Sequence, residues 1–357
     1  MGSTLRQIAL ECGVAVSTVS RALNGHPHVN EETRRLIRET AERLGYRPSA
    51  AARALRGSGT RTVGVVLPDM MNAFYARTIS MVQDQLEERG HSVVMAVTNN
   101  EGRRERTGLE RLIASGVDGI IVVPTPTRRP PTPEGPPLVE MNRRSSRRVD
   151  WVGYDEDEGA RTLAGLLVGA GHHDIAFIGG QPSFSTTRRL LEGYRRALAE
   201  AGVEPDPRWV QLRAYSPDWG SEALRRLLPL RPAPTAVCAS SSELVLGLLT
   251  EARRRGLRLP SELSLVAFGK TDWYAVTDPG ITTYEQPIEQ VAHIAVQLLA
   301  DRMAGSTADP TTVLVEGRAV ERDSVADGPR AALRHRNLTA NDSSSIVMMR
   351  SVSPNLR

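Results

Sequence analysis

The sequence predicts two parts, a small all-α head and a larger α/β body, and three patterns carry that reading. Residues 4–24 (TLRQIALECGVAVSTVSRALN) hold two short runs of helical apolar spacing on either side of Gly13. Residues 61–325 alternate short apolar runs with amphipathic stretches, the pattern of parallel sheets covered on both faces. Charge separates the two parts. In residues 1–60 nine arginines face five glutamates, an excess of four that equals the formal net charge of +4 for all 357 residues. A basic head on a near-neutral body is the electrostatic footprint of phosphate contact.

In the first helix Leu5, Ile8, Ala9 and Cys12 share one inner face. Gly13 then breaks the pattern and Val14 can plug the turn. A second helix begins near Val16, with Val19, Ala22 and Leu23 inward and Ser17, Thr18, Ser20 and Arg21 outward. The spacing fits an ordinary helical hairpin or a helix-turn-helix, whose second helix enters a DNA major groove. After a polar loop, Asn30 is a good N-cap, and Glu31 and Glu32 sit where the helix dipole favours anions. This third helix runs to about Leu44 and ends at Gly45, suited to a left-handed position. Tyr46-Arg47-Pro48 is extended. Residues 50–55 form a strong helix former too short to be stable alone in water, and Ser58 and Gly59 loosen the joint after it.

From residue 61 the alternation begins with strand TVGVVLP (62–68) and a helix at 74–89 ending at Gly90. Strand HSVVMAV (91–97), a helix around 103–115 and strand DGIIVVP (118–124) follow. The proline-rich stretch 125–137 reads as a surface loop. Beyond it come strands PLVEM and DWVGYD, a helix at 158–169, strand DIAFIGG, a helix at 188–201 and strand WVQLRAY. A helix at 219–228, strand TAVCAS, a helix at 243–255, strand LSLVAFG and a helix at 287–304 complete the series. After Asp327 periodicity is lost, and residues 327–357 read as a disordered tail.

Several function classes drop out. The amino terminus is amphipathic without a signal-peptide h-region, and no apolar run approaches the roughly 20 residues of a membrane helix. A soluble cytoplasmic protein is the simplest expectation. Cys12 and Cys238 lie in unrelated segments and suggest neither a disulfide framework nor zinc. His172 and His173 sit in a Gly-flanked turn with no second ligand pair nearby, so no metal is expected. Ser183 and Ser185 lack a G-x-S-x-G elbow, and Gly179-Gly180 is no nucleotide fingerprint, so neither an enzyme nor a cofactor is expected. The acidic run at 155–158 reads as a helix-start partner and solvated face.

The string TLRQIALECGVAVSTVSRALNGHPHVNEETRRLIRETAERLGYRPSAAARALRG closely resembles the headpiece and hinge of the LacI/GalR family of bacterial transcription regulators. The resemblance implies a helix-turn-helix headpiece (1–48), a hinge helix and linker (49–60), and a two-lobed body of the type I periplasmic-binding-protein fold (61–326). Lobe 1 would span about 61–153 and 287–310, and lobe 2 about 154–284 and 312–326. Val16, Ser17 and Arg21 would face base edges, while Thr4, Thr18, Ser20, Asn24 and His28 would hold phosphates. Ala52 would line the minor groove and Leu55 would wedge a base step, in a pair of hinge helices across a homodimer axis. Ala15 stands where the family usually has serine. The implied function is a dimeric repressor of a pseudo-palindromic operator, acting on the nucleoid and tuned by a small effector.

Ligands of parallel sheets bind outside the carboxyl ends of the strands. Candidates at such ends are the segments 68–75, 216–219, 240–243, 268–273 and 282–287 and the loop after Gly179. By resemblance Asn72, Phe74, Trp219, Trp273 and Gln286 fall at effector positions, the tryptophans fitting a core role equally well. Other positions depart: Leu190 replaces the usual gripping arginine, Ser241-Ser242 the usual Asn-Asp, Gly269-Lys270 an Asp-Asp turn, and Asn142 an aspartate. These changes remove carboxylates that take sugar hydroxyls. Two readings stay open. Either the cleft takes a different ligand, such as an anion met by Arg188 and Lys270, or it takes none. A plain neutral sugar is disfavoured under both. A cleft-only solute sensor is the remaining alternative, opposed by the basic head.

Overall fold

The chain divides after Thr60 into two units. A computed structural model describes residues 4–23, 26, 28–46, 59–126 and 135–329. The expectations at Asn24, at 50–55 with Ala52 and Leu55, for most of the loop 125–137, and for the tail from 330 onward lie outside the described residues.

The first unit is three helices: α1 (Leu5–Cys12), α2 (Val16–Leu23) and α3 (Glu31–Arg43). Thr4 starts α1 through a capping box, its hydroxyl accepting from the Gln7 amide while the Gln7 side chain accepts from the Thr4 amide. Gly13 ends α1 at φ 65°, a left-handed conformation that lets the chain turn within three residues into α2. Asn30 caps α3 by accepting from the Thr33 amide. Ile8, Ala9, Val19, Ala22, Ile37 and Ala41 are buried together and tie all three helices to one small core.

The second unit holds two six-stranded sheets. The first contains β1 (Thr62–Leu67), β2 (Ser92–Val97), β3 (Gly119–Val122), β4 (Leu138–Met141), β5 (Asp150–Tyr154) and β11 (Thr312–Val315), in the order β11-β5-β4-β3-β1-β2. The second contains β6 (Ile175–Gly179), β7 (Val210–Leu212), β8 (Ala236–Ala239), β9 (Ser264–Phe268), β10 (Thr282–Glu285) and β12 (Arg318–Val320), in the order β12-β10-β9-β8-β6-β7. Every pairing is parallel except β10 with β12. Helices α4 (Ala73–Glu88), α5 (Gly102–Ala114) and α11 (Ile288–Met303) pack on the first sheet. Helices α6 (Glu156–Gly169), α7 (Ser185–Glu200), α8 (Pro217–Leu227) and α9 (Ser242–Arg255) pack on the second, with α10 (Trp273–Val276) a single turn.

Two expectations need correction. The resemblance places residues 312–315 in the second lobe, but they pair with Trp151–Tyr154 in the first sheet. The buried strand β5 needs its outer edge satisfied, and Val313 and Val315 cover the first core while doing so. The chain therefore passes from the first sheet to the second at 316–317, between β11 and β12. The segment 282–287 also begins not as a loop but as strand β10, which pairs with β9.

Close approach of α8 to α9 depends on two glycines. A Cβ on Gly220 would lie 2.2 Å from the Leu244 carbonyl oxygen, and one on Gly247 would lie 1.9 Å from the Pro217 carbonyl oxygen. Gly247→Ala should destabilise the body by about 1–3 kcal/mol through overpacking, measured by denaturant unfolding. Gly165→Ala, where a Cβ meets nothing within 4 Å inside α6, should be neutral or stabilising by up to about 1 kcal/mol. Equal effects of the two substitutions would contradict this packing.

Candidate DNA-reading helix and inter-lobe cleft

The small core decides which face of α2 stays outside. With Val19 and Ala22 fully buried, Val16, Ser17 and Arg21 are exposed and Thr18 and Ser20 half-buried on the opposite side. Arg43 pairs with Glu11, Arg34 with Glu31 and Arg35 with Glu39, whereas Arg21 makes no ion pair among the described residues. Arg34 also donates to the carbonyls of His26 and Val29, holding the loop that presents exposed His28. Thr4 sits at the amino end of α1, where its hydroxyl is engaged in the cap. The helix thus offers two small side chains and one long guanidinium to a partner.

In the body, the carboxyl ends of the two sheets face a shared cavity of about 180 Å³. Five expected residues line it: Asn72, Phe74, Asn142, Ser241 and Gln286. Asn72 caps α4 by accepting from the Phe74 amide at 2.9 Å. Asn142 follows β4 in a left-handed conformation, φ 62°, which asparagine tolerates, and its amide nitrogen reaches the Tyr75 hydroxyl at 3.5 Å. Ser241 caps α9 by accepting from the Leu244 amide.

Four expected residues are not brought to this wall. Trp219 is buried in the second lobe's core, its indole N–H donating to the Gly179 carbonyl at 3.3 Å. Trp273 packs against the same core, edge-on to Tyr274 at 4.5 Å. Lys270 faces Glu289 at 3.5 Å, and its carbonyl accepts from Arg77. That pair ties the loop after β9 to α4 and α11 across the lobes. Arg188 is exposed and donates to the Ser183 carbonyl at 2.9 Å. Because α7 turns its Leu190 side into the cavity, Arg188 falls on another side of the helix.

The wall also contains residues that the sequence reading missed. Arg143, 4% exposed, stacks over the Phe184 ring at 3.7 Å and donates to Asn100 at 2.7 Å. Phe184 in turn stacks parallel to Tyr215 at 6.4 Å. Glu156, in an acidic run whose pattern predicts a solvated face, is 3% exposed and meets Arg189 at 2.9 Å through one oxygen, while its other oxygen has no partner among the described residues. Arg143 Nε and Ser240 Oγ are likewise buried without partners. Unsatisfied buried polar atoms gathered on one cavity wall are what a bound polar molecule would satisfy. Glu156 was within reach of the strand-end rule, since it comes two residues after β5. His172, by contrast, is an ordinary buried histidine, with one ring nitrogen on Thr235 and the other on the Ala326 carbonyl.

Comparison with known proteins agrees with both units. Residues 4–49 match the profile of bacterial regulatory proteins of the lacI family, and residues 164–325 that of the periplasmic binding protein-like domain. Catabolite control protein A of Priestia megaterium is 31% identical over 330 residues, covering 91% of this chain and 99% of that protein. The chain belongs to the LacI family. The repressor CytR of Escherichia coli is 28% identical over 90% of this chain and 96% of its own length. A structure of the regulator CelR in complex with cellobiose shares 30% identity, with a TM-score of 0.69 over 90% of this chain and 99% of that one. The Lac repressor dimer bound to operator and an anti-inducer is similar in fold, with a TM-score of 0.80 at 22% identity over 91% of this chain and 100% of that one. In this member Leu190 and Ser241 line the cavity.

Burial pushes the Glu156 carboxyl from its ordinary value of 4.5 up to about 8, although Arg189 opposes the shift. The folded chain then keeps a proton that the unfolded chain releases across that interval. The stabilisation from this group is full below the unfolded value and is lost as pH rises through the folded one. Thermal unfolding between about pH 5 and 8 should show a decline in Tm that Glu156→Gln flattens. An identical slope in the two proteins would contradict the assignment.

Proposed function

We propose that this chain is a dimeric, sequence-specific transcriptional repressor and not an enzyme, working in the bacterial cytoplasm on the nucleoid. Two headpieces read a pseudo-palindromic operator, each laying α2 in the major groove. The observation that carries this is the outward set Val16, Ser17 and Arg21, held by the buried Val19 and Ala22. Arg21 suits bidentate pairing with guanine, and Thr4, Thr18, Ser20 and His28 suit phosphates. The operator-bound repressor of similar fold and the repressors similar in sequence support the reading. A homodimer is favoured by the edge strand β2, where Val94, Met95 and Val97 are exposed at 45%, 44% and 39%. Exposed apolar residues along a sheet edge mark an interaction surface.

The cleft is the site of the effector, and the unpartnered atoms of Glu156, Arg143 and Ser240 favour an occupied over a degenerate cleft. Leu190 and Ser241 put no charged group on their part of the wall, and the buried Arg143 and Glu156 opposite call for a charged or strongly polar ligand rather than a plain neutral monosaccharide. Calorimetry with neutral monosaccharides should show no binding that releases DNA. Tight, operator-releasing binding of one would contradict this.

A gel shift on the gene's own upstream region tests the DNA reading. Affinity should fall about a thousandfold or more between roughly 50 and 200 mM salt as counterions are released. Arg21→Ala should lose about 1–3 kcal/mol on the preferred site and little on random duplex. Failure to shift any fragment, or equal losses on both duplexes, would overturn the proposal.

A further inference from the structure

Beside the cleft lies a second, polar pocket of about 240 Å³, with Arg143 and Phe184 common to both walls. Arg143, Arg144 and Arg188 converge on it, with Ser145, Ser183 and Ser185 between them. None of these three forms an ion pair among the described residues, so three guanidiniums meet at one pocket with no carboxylate salt-bridged to any of them. Arg144 donates to the Ser146 carbonyl and Thr312, Arg188 to the Ser183 carbonyl, and Arg143 to Asn100. Arg143 is 4% exposed and its Nε has no partner among the described residues. A guanidinium removed from water with an open donor is costly unless something accepts from it.

The surrounding groups reinforce a demand for negative charge. The sixteen-residue helix α7 begins here, and its N-cap, Phe184, supplies no side-chain hydrogen bond. Its first-turn amides and dipole therefore face the pocket side uncapped. Two carboxylates lie behind the pocket. Glu140 accepts from the Ser145 amide and hydroxyl and the Ser146 amide, and Glu105 accepts from the Thr125 amide. Burial pushes both up from the ordinary carboxylate value, which weakens their claim on the arginines. Three guanidiniums and the hydroxyls of Ser183 and Ser185, with the Ser145 hydroxyl already given to Glu140, exceed what one carboxylate ligand can use. They match a dianionic tetrahedral group with three acceptor oxygens.

We infer that this pocket is an anion site for a phosphoryl group, contiguous in its wall with the effector cleft. The source is either free phosphate or a phosphate monoester whose organic part lies in the cleft against Phe184 and Tyr215. The inference rests on the reading of the cleft as the effector site, and binding and DNA retention are measured separately so that each can fail alone.

The test is calorimetry on the full chain at fixed ionic strength, with inorganic phosphate, glycerol 3-phosphate and glycerol as titrants. Phosphate should bind saturably and glycerol should not bind. Arg144→Gln and Arg188→Gln, each checked by circular dichroism, should weaken phosphate binding about tenfold, the value of one charged hydrogen bond. Tighter binding of glycerol 3-phosphate than of phosphate identifies a monoester, and equal binding identifies the free ion. Absence of saturable phosphate binding, or unchanged binding in both folded variants, overturns the site. Gel shifts of upstream DNA with and without phosphate then test the regulatory reading alone.

Discussion

Ile8, Val19 and Ile37, each fully buried, come from three different helices and meet in a core of only a few side chains. Rotating α2 by a quarter turn would bring Ser17 or Arg21 into that core and expose Val19. Burying a guanidinium without a partner is far less favourable than burying a valine. The outward direction of Val16, Ser17 and Arg21 is thus set by apolar burial behind them, and the proposed base reading depends on it. Gly13 and the Thr4 cap serve the same end, fixing where α1 stops and how soon α2 starts.

The body uses a different constraint. Parallel strands place all their carboxyl ends on one side, so each lobe offers one loop-rich edge, and the two edges meet at the cavity. The lobes are held by specific side-chain ties: Arg77 to the Lys270 carbonyl, Lys270 to Glu289, and the Arg144 amide to Ser185. A ligand that binds these edges more tightly in one lobe arrangement than in another shifts the balance between arrangements. Coupling of this kind amounts to about 1–3 kcal/mol, and operator must change ligand affinity by the same factor.

The alternation of strands and helices, the three head helices and their caps were legible because period and capping residues are local signals. Strand β11 was misplaced because its alternating, half-exposed residues carry no tag saying which sheet they complete. Strand β10, Thr282–Glu285, is too polar to read as buried, although three of its four residues are. In the cleft, helix phase decided the outcome. Leu190 points inward while Arg188 turns away, and Trp219, although next to a strand end, fills the core between α8 and β6. Arg143 and Glu156 were overlooked because their neighbours, an arginine pair and an acidic run, look solvated in one dimension.

In the proposed function, the head selects particular duplexes and the body tunes how firmly two copies hold them. The most direct measurement is co-purification of the full-length protein with sheared genomic DNA, followed by sequencing of the retained fragments. The account predicts a small set of enriched loci sharing one inverted repeat, with half-sites about one helical turn apart. Retention of fragments in proportion to their abundance in the genome, by a folded dimer, would contradict it.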